Sequence, residues 1–302
     1  MKYLTKKVIK GKSYYYLQYE NYTKNIGHFL PDNLKSIFVD FFRNIAVKKF
    51  EVFPAVIKKN FRYLDLQSLE KARGWYLLLK HELFEKNYHD FYRKFIVLFT
   101  YNSNKAEGSK TKKSDIEKID PWIKRKPRTK TEIEIIDSFI AFHHAFSDNM
   151  EWNLKNIRYV HELLLEKLDP VIAGKWKSEN NVDPGNDATT DFREVPQAMS
   201  DLMDWFRNEL KHDVYPPMLA LRFYCRFEKI HPFLDGNGRV GRILFNAILD
   251  KFGYPPIVFF AENKSEHSNA IKSFLENRSM KMYKHFLNQF KKTYKVLGYN
   301  ML

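Results

Sequence analysis

The chain has a single cysteine, Cys225, among 302 residues. That excludes an intramolecular disulfide and a metal site built on clustered thiolates, and it fits a reducing compartment. Long apolar runs are missing as well. Stretches such as Phe95–Phe99 and Ile257–Ala261 fall far short of the ~20 residues a spanning helix needs. Met1-Lys2-Tyr3-Leu4 runs directly into lysines, without the apolar segment of a secretory leader. A soluble, cytoplasmic protein with no membrane partner is therefore expected. No zinc finger, RNP motif or recognition helix accompanies the formal charge of +15, so nucleic acid is not the expected partner. The densest basic stretch, Lys124–Lys130, reads as a solvated linker between helices.

Hydrophobic residues make up 44% of the chain and aromatics 16%, a composition that packs a core. Lys7–Tyr19 holds two β-rich runs around Lys10-Gly11-Lys12, which predicts a hairpin. From Pro31 onward the spacing turns helical. Phe38, Phe41, Phe42 and Ile45 share one face, and residues 67–99 make one long helix or two, with Gly74 and Asn87 as the interruptions. Further helices are expected over 131–147, around Leu154–Leu168, from Val195, from Pro216-Pro217 to about Ile230, after residue 242, and through the last 45 residues. Residues 174–194 carry Asp183-Pro184-Gly185 and read as an irregular loop or short hairpin.

One segment concentrates chemistry. His231 is followed by Asp235, then by Gly236-Asn237-Gly238, where a helix begins. Two glycines let the backbone approach a ligand. The first amides of a helix are unsatisfied and its dipole is positive there, so this is an anion nest suited to phosphate. Arg239 and Arg242 lie three apart on the new helix and can both reach the anion. An acid beside phosphates needs a cation, and Mg²⁺ favours a carboxylate plus phosphate oxygens, which makes Asp235 the candidate metal ligand. His231 titrates near neutrality and can take a proton from a hydroxyl. Together these groups describe in-line transfer at phosphorus. Phe233 reads as a core anchor for the loop.

His231–Arg242, HPFLDGNGRVGR, resembles the signature HPFx[D/E]GNGRxxR of the Fic family at every defined position. The resemblance implies a mainly α fold, a helical bundle with a short β-hairpin flap, here with a small N-terminal β-ribbon over 1–30. It covers about residues 95–255 as the Fic core with its inhibitory segment, and the residue spacing adds a helical region at 31–94 and a C-terminal helical region at 256–302. It also implies transfer of AMP from ATP to a Ser, Thr or Tyr hydroxyl of a target protein and of the enzyme itself. In that reading His231 is the base and Asp235 holds Mg²⁺. Gly236, Asn237 and Gly238 cradle the α- and β-phosphates, and Arg239 and Arg242 contact the outer ones. Ser103-Asn104-Lys105-Ala106-Glu107-Gly108 is similar to the family's inhibitory motif [S/T]xxxE[G/N]. A glutamate brought to Arg242 would remove a phosphate contact, so Ser103, Glu107 and Gly108 mark an expected self-restraint. The same glutamate could instead serve AMP removal, and another nucleotide or phosphate group could be transferred. A basic nucleic-acid-binding protein is the reading from another class. Residues 178–194 stand where the family's flap holds the target, Gly174–Lys177 resembles the aromatic-basic pair ahead of it, and Tyr224 replaces a common histidine. A homodimer is left open.

Overall fold

The structure is a computed structural model and describes residues 3–52, 58, 62–81, 84–122, 125–147, 150–182, 188–212 and 214–299. The tip of the expected flap, including Asp183-Pro184-Gly185, and Lys124 of the basic stretch lie outside the described residues. The chain divides into two compact units.

The first unit holds the described residues of 1–90 and 253–255, with Tyr299. Its sheet has three antiparallel strands, β1 (Leu4–Ile9), β2 (Lys12–Tyr19) and β3 (Tyr22–Gly27), in that order. The predicted hairpin is its first half. Lys10 and Gly11 turn it with φ of 49° and 77°, the paired left-handed geometry that follows strand twist. Leu4 opposes Leu17 across β1 and β2. Both are buried in one cluster with Leu34, Phe38, Phe41, Phe42 and Ile45 of α1 (Leu34–Val52) and with Leu77 and Leu78 of α2 (Tyr63–Leu79). The long periodic segment is two helices, α2 and α3 (Glu85–Ala106). Neither expected interruption breaks them. Gly74 lies inside α2, where a Cβ would stand 3.0 Å from the Phe38 carbonyl; glycine serves close helix packing here. Asn87 sits in the first turn of α3.

The second unit contains α3 from Phe91 onward, α4 (Lys113–Glu117), α5 (Lys130–Ala145), α6 (Leu154–Leu165), α7 (Val195–Glu209), α8 (Pro216–Ile230), α9 (Asn237–Lys251), α10 (Lys264–Leu275) and α11 (Met280–Val296). Thr129 and Asn153 cap α5 and α6 by accepting the amides of Glu132 and Asn156, and Pro216 opens α8. Helix α9 is the hub, with Val240, Ile243, Leu244, Phe245 and Ile248 all buried. An extended strap, 256–260, crosses beside it. Its backbone is satisfied by side chains: Ile257 exchanges both main-chain bonds with the Asn246 amide, Thr293 accepts from the Val258 amide and Gln289 from the Phe260 amide. A strand without sheet partners can be buried only on such terms. The described residues of 174–194 are irregular, with one isolated bridge, Val182 to Ala188. Among the described residues no helix is long and apolar enough to cross a membrane.

Candidate active site

The site begins where α8 stops. His231 caps that helix in the left-handed region, φ 50° and ψ 61°, while its amide still donates to Phe227 O at 2.9 Å. A non-glycine residue is uncommon there and is held only by the structure around it. The chain swings outward through residues 232–235, then re-enters a helix after Gly236, φ 79°.

That short loop is clamped from two sides. Asn237 accepts the Phe233 amide at 2.8 Å and donates to the Phe233 carbonyl at 2.7 Å. Its side chain is thus committed to the loop, and only its backbone faces outward as part of the nest. On the other side stands His161 of α6. Its ring stacks on Phe233 at 3.8 Å with planes 3° apart. The Gly174 amide donates to Nδ1 at 2.9 Å, so the proton sits on Nε2 and is donated to the Asp235 carbonyl at 3.0 Å. Burial pushes the His161 pKa down to about 4, against the opposing pull of that carbonyl. A neutral imidazole therefore fixes the backbone of the proposed metal ligand. No local sequence signal could show this, because the partners lie 13 and 74 residues away.

The first amides of α9, at Asn237, Gly238 and Arg239, lie beyond the intrahelical ladder and carry its positive end. The two arginines diverge from there. Arg239 donates to Asp235 Oδ2 at 2.8 Å, and that carboxylate is 60% exposed. Arg242 turns inward to the end of α3, donating to Glu107 Oε1 at 2.7 Å, Ser103 Oγ at 3.1 Å and Ser103 O at 2.9 Å.

The spacing Ser103–Glu107–Gly108 now has a physical account. Ser103 and Glu107 are one turn apart on α3 and meet the same guanidinium. Gly108, φ 89°, ends the helix: its amide donates to Lys105 O and the Ser109 amide to Asn104 O, both at 3.0 Å. This is the glycine-terminated Schellman cap, and it makes Glu107 the cap residue that follows Ala106, aimed at Arg242. Burial raises the Glu107 pKa, but Arg242, then Arg239 and Lys264, outweigh it and hold the carboxyl below its ordinary range. Gly238 completes the fit, since a Cβ there would collide with Glu107 Oε1 and stand 2.8 Å from Arg242 Nη1.

Glu107, Gly238 and Arg242 line a cleft together with the apolar side chains of Phe259, Phe260 and Ile271. Tyr224 and Glu228 of α8 also line it. Tyr224 Oη shares a hydrogen bond with His267 Nε2 at 2.8 Å, and His267 Nδ1 one with His285 Nε2 at 3.1 Å. Glu228 is buried, with Oε2 3.9 Å from His231 Nδ1. Gly241 leaves room for it, because a Cβ there would sit 2.5 Å from Glu228 Oε1. Sequence reasoning did not single out Glu228. Beside the loop, buried Lys177 donates to Asn181 Oδ1 at 2.8 Å and Thr189 Oγ1 at 2.7 Å, and Asn181 Nδ2 donates to Phe233 O at 2.9 Å. Both limbs of segment 178–194 are thereby tied next to His231.

Known proteins share this arrangement of sequence and fold. A family model described as the Fic/DOC family matches residues 151–249. The protein adenylyltransferase Fic of Drosophila willistoni is 29% identical over 123 residues, 41% of this chain and 24% of that protein. Its counterpart from Drosophila grimshawi is 28% identical over 123 residues, 41% and 25% of the two chains. The match thus spans about a quarter of these relatives' length. A Fic domain-containing signaling protein from Bacteroides thetaiotaomicron superposes with a TM-score of 0.65 at 22% identity, over 78% of this chain and 98% of that one. Fic-1 from C. elegans gives 0.64 at 18% identity, over 87% and 80%. These likenesses show a Fic-type helical fold, and residues 151–249 are the part of the chain that matches the Fic/DOC family.

Proposed function

We propose that the protein is an adenylyltransferase that moves AMP from ATP onto a hydroxyl side chain of a target protein and of itself, restrained by Glu107. The observation that carries this reading is the meeting of three things at α9: a histidine held at the helix-cap bend, a helix N-terminus with open amides, and a buried arginine occupied by a carboxylate. His231 takes the proton of the incoming hydroxyl. The hydroxyl oxygen bonds to the α-phosphorus, the bond from that phosphorus to the β-phosphate oxygen breaks, and pyrophosphate leaves. The α9 amides meet the charge that builds on the phosphates, and Arg239 and Arg242 orient the outer ones.

Mg²⁺ fits the residues present. Among the described residues no cluster of three or more histidine, cysteine or carboxylate side chains forms a resident metal cage. The exposed Asp235 carboxylate at the mouth of the nest suits an ion that keeps waters and takes its other oxygens from phosphate. Asp235 would hold it, and it would neutralise phosphate charge. The limbs of 178–194 would seat the target backbone beside His231.

The test uses ATP labelled at the α-phosphate. Weak labelling is expected for the wild type, strong self-labelling for Glu107→Gly, and none for Glu107→Gly with His231→Ala. Label from γ-labelled but not α-labelled ATP would replace AMP transfer by phosphotransfer. Incubation with target already carrying AMP reads the reverse reaction.

A further inference from the structure

Glu107 reaches Arg242 only if the last turn of α3 is held in place, and that turn is gripped from outside the helix. The grip comes from the segment between the 256–260 strap and α10. The Ala261 amide donates to Asn102 Oδ1 at 3.1 Å. Two residues before the cap glycine Gly108, the Ala106 carbonyl accepts from Lys264 Nζ at 2.6 Å. That carbonyl is one of the terminal groups left open by the helix, at the negative end of its dipole, where a cation is favoured. Lys264 also adds to the field that holds the Glu107 carboxyl ionised, and it lines the same cleft. Neither the Fic signature nor the inhibitory motif contains it, because it lies 158 residues from its partner.

We infer that Lys264 is a positioning residue of the restraint: it pins the end of α3 through the Ala106 carbonyl and thereby keeps Glu107 on Arg242. This rests on the adenylyl-transfer reading, and its tests separate the two. Removing the ammonium should loosen the helix end and shift the site toward its open state. An exposed cation at a helix terminus moves such an equilibrium by about two- to fivefold.

The experiment compares full-length wild type, Lys264→Met, Lys264→Arg, Glu107→Gly and the double variant Lys264→Met/Glu107→Gly. Self-labelling from α-labelled ATP should rise about two- to fivefold in Lys264→Met, return toward wild type in Lys264→Arg, and be equal in Glu107→Gly and the double variant. A lower yield in Lys264→Met and also in the double variant would make Lys264 a nucleotide contact and overturn the inference. If Glu107→Gly labels strongly while Lys264→Met matches wild type, the inference fails and adenylyl transfer stands. Amide hydrogen exchange supplies a readout that needs no activity. The amides of Glu107, Gly108 and Ser109, bonded to Asn104 and Lys105 carbonyls, should exchange faster in Lys264→Met with or without nucleotide. Unchanged exchange at those three amides would sink the pinning role whatever the labelling shows.

Discussion

Replacing Glu107 by glutamine keeps its shape and removes its charge, which makes it the sharpest probe of the Arg242 contact. Breaking one partner of a buried ion pair costs about 3–5 kcal/mol, because the other charge is left without compensation. The cost here is smaller. The Glu107 side chain is 22% exposed, and Arg242 keeps its bonds to Ser103 Oγ and Ser103 O. A loss of about 1–2 kcal/mol follows after solvent discounting. At this chain length that lowers Tm by about 2–4 °C in a calorimetric or fluorescence melt. The sign in acid is set by the depressed carboxyl. Its contribution is complete above the ordinary glutamate value of 4.5 and drains as pH falls through the lower folded value. The Tm gap between wild type and Glu107→Gln should therefore hold from neutral pH to about pH 5 and close on further acidification. Saturating ATP should reverse the order, since the variant leaves Arg242 open to the outermost phosphate and so gains more from ligand. Equal melting temperatures at neutral pH, together with equal gains from ATP, would refute an ion pair that competes with nucleotide.

Two further perturbations probe the loop. His161 must stay neutral to accept from Gly174, and its folded pKa is depressed to about 4 from 6.5. The stability it contributes is full above pH 6.5 and falls as pH drops toward about 4; wild type should lose more Tm across that window than His161→Phe, which has nothing to protonate. Asn237→Ala removes both bonds to Phe233 and leaves its buried amide unpaired, while the carbonyl keeps its bond from Asn181, costing about 1–3 kcal/mol. Its labelling activity, measured in the Glu107→Gly background at a temperature where both proteins are folded, should fall with the nest's order.

Much of this arrangement was legible in the chain and some was not. Helices announced themselves because their buried faces repeat every three to four residues, as Phe38, Phe42 and Ile45 do. The break near 80–84 did not, since Gly74 looked like a breaker when it was a contact surface. The third strand, Tyr22–Gly27, escaped notice because Lys24 and Asn25 interrupt its alternation. At the site, contiguous groups could be read together: base, acid, nest and arginines all lie within twelve residues. Groups joined only by folding could not. His161 and Lys264 act on atoms far along the chain, and a lone histidine on a helix stripe looks like any core residue. Asn237 was legible as part of the nest, yet its side chain serves Phe233. The divergence of Arg239 toward Asp235 and Arg242 toward Glu107 depends on which acid each meets, which helical spacing alone does not encode.

Because Glu107 caps a helix whose last turn is closed by Gly108, the proposed restraint would behave as a ligand tethered to its own receptor. Its effective concentration at Arg242 is set by the stiffness of one helical turn, on the order of millimolar or above, and its departure needs only fraying of a terminus, among the least costly openings a fold offers. Nucleotide supply then acts on the protein as on a competitor pair. Half-maximal output should then need more ATP in the wild type than in Glu107→Gly, because the outermost phosphate must displace an anion that never diffuses away.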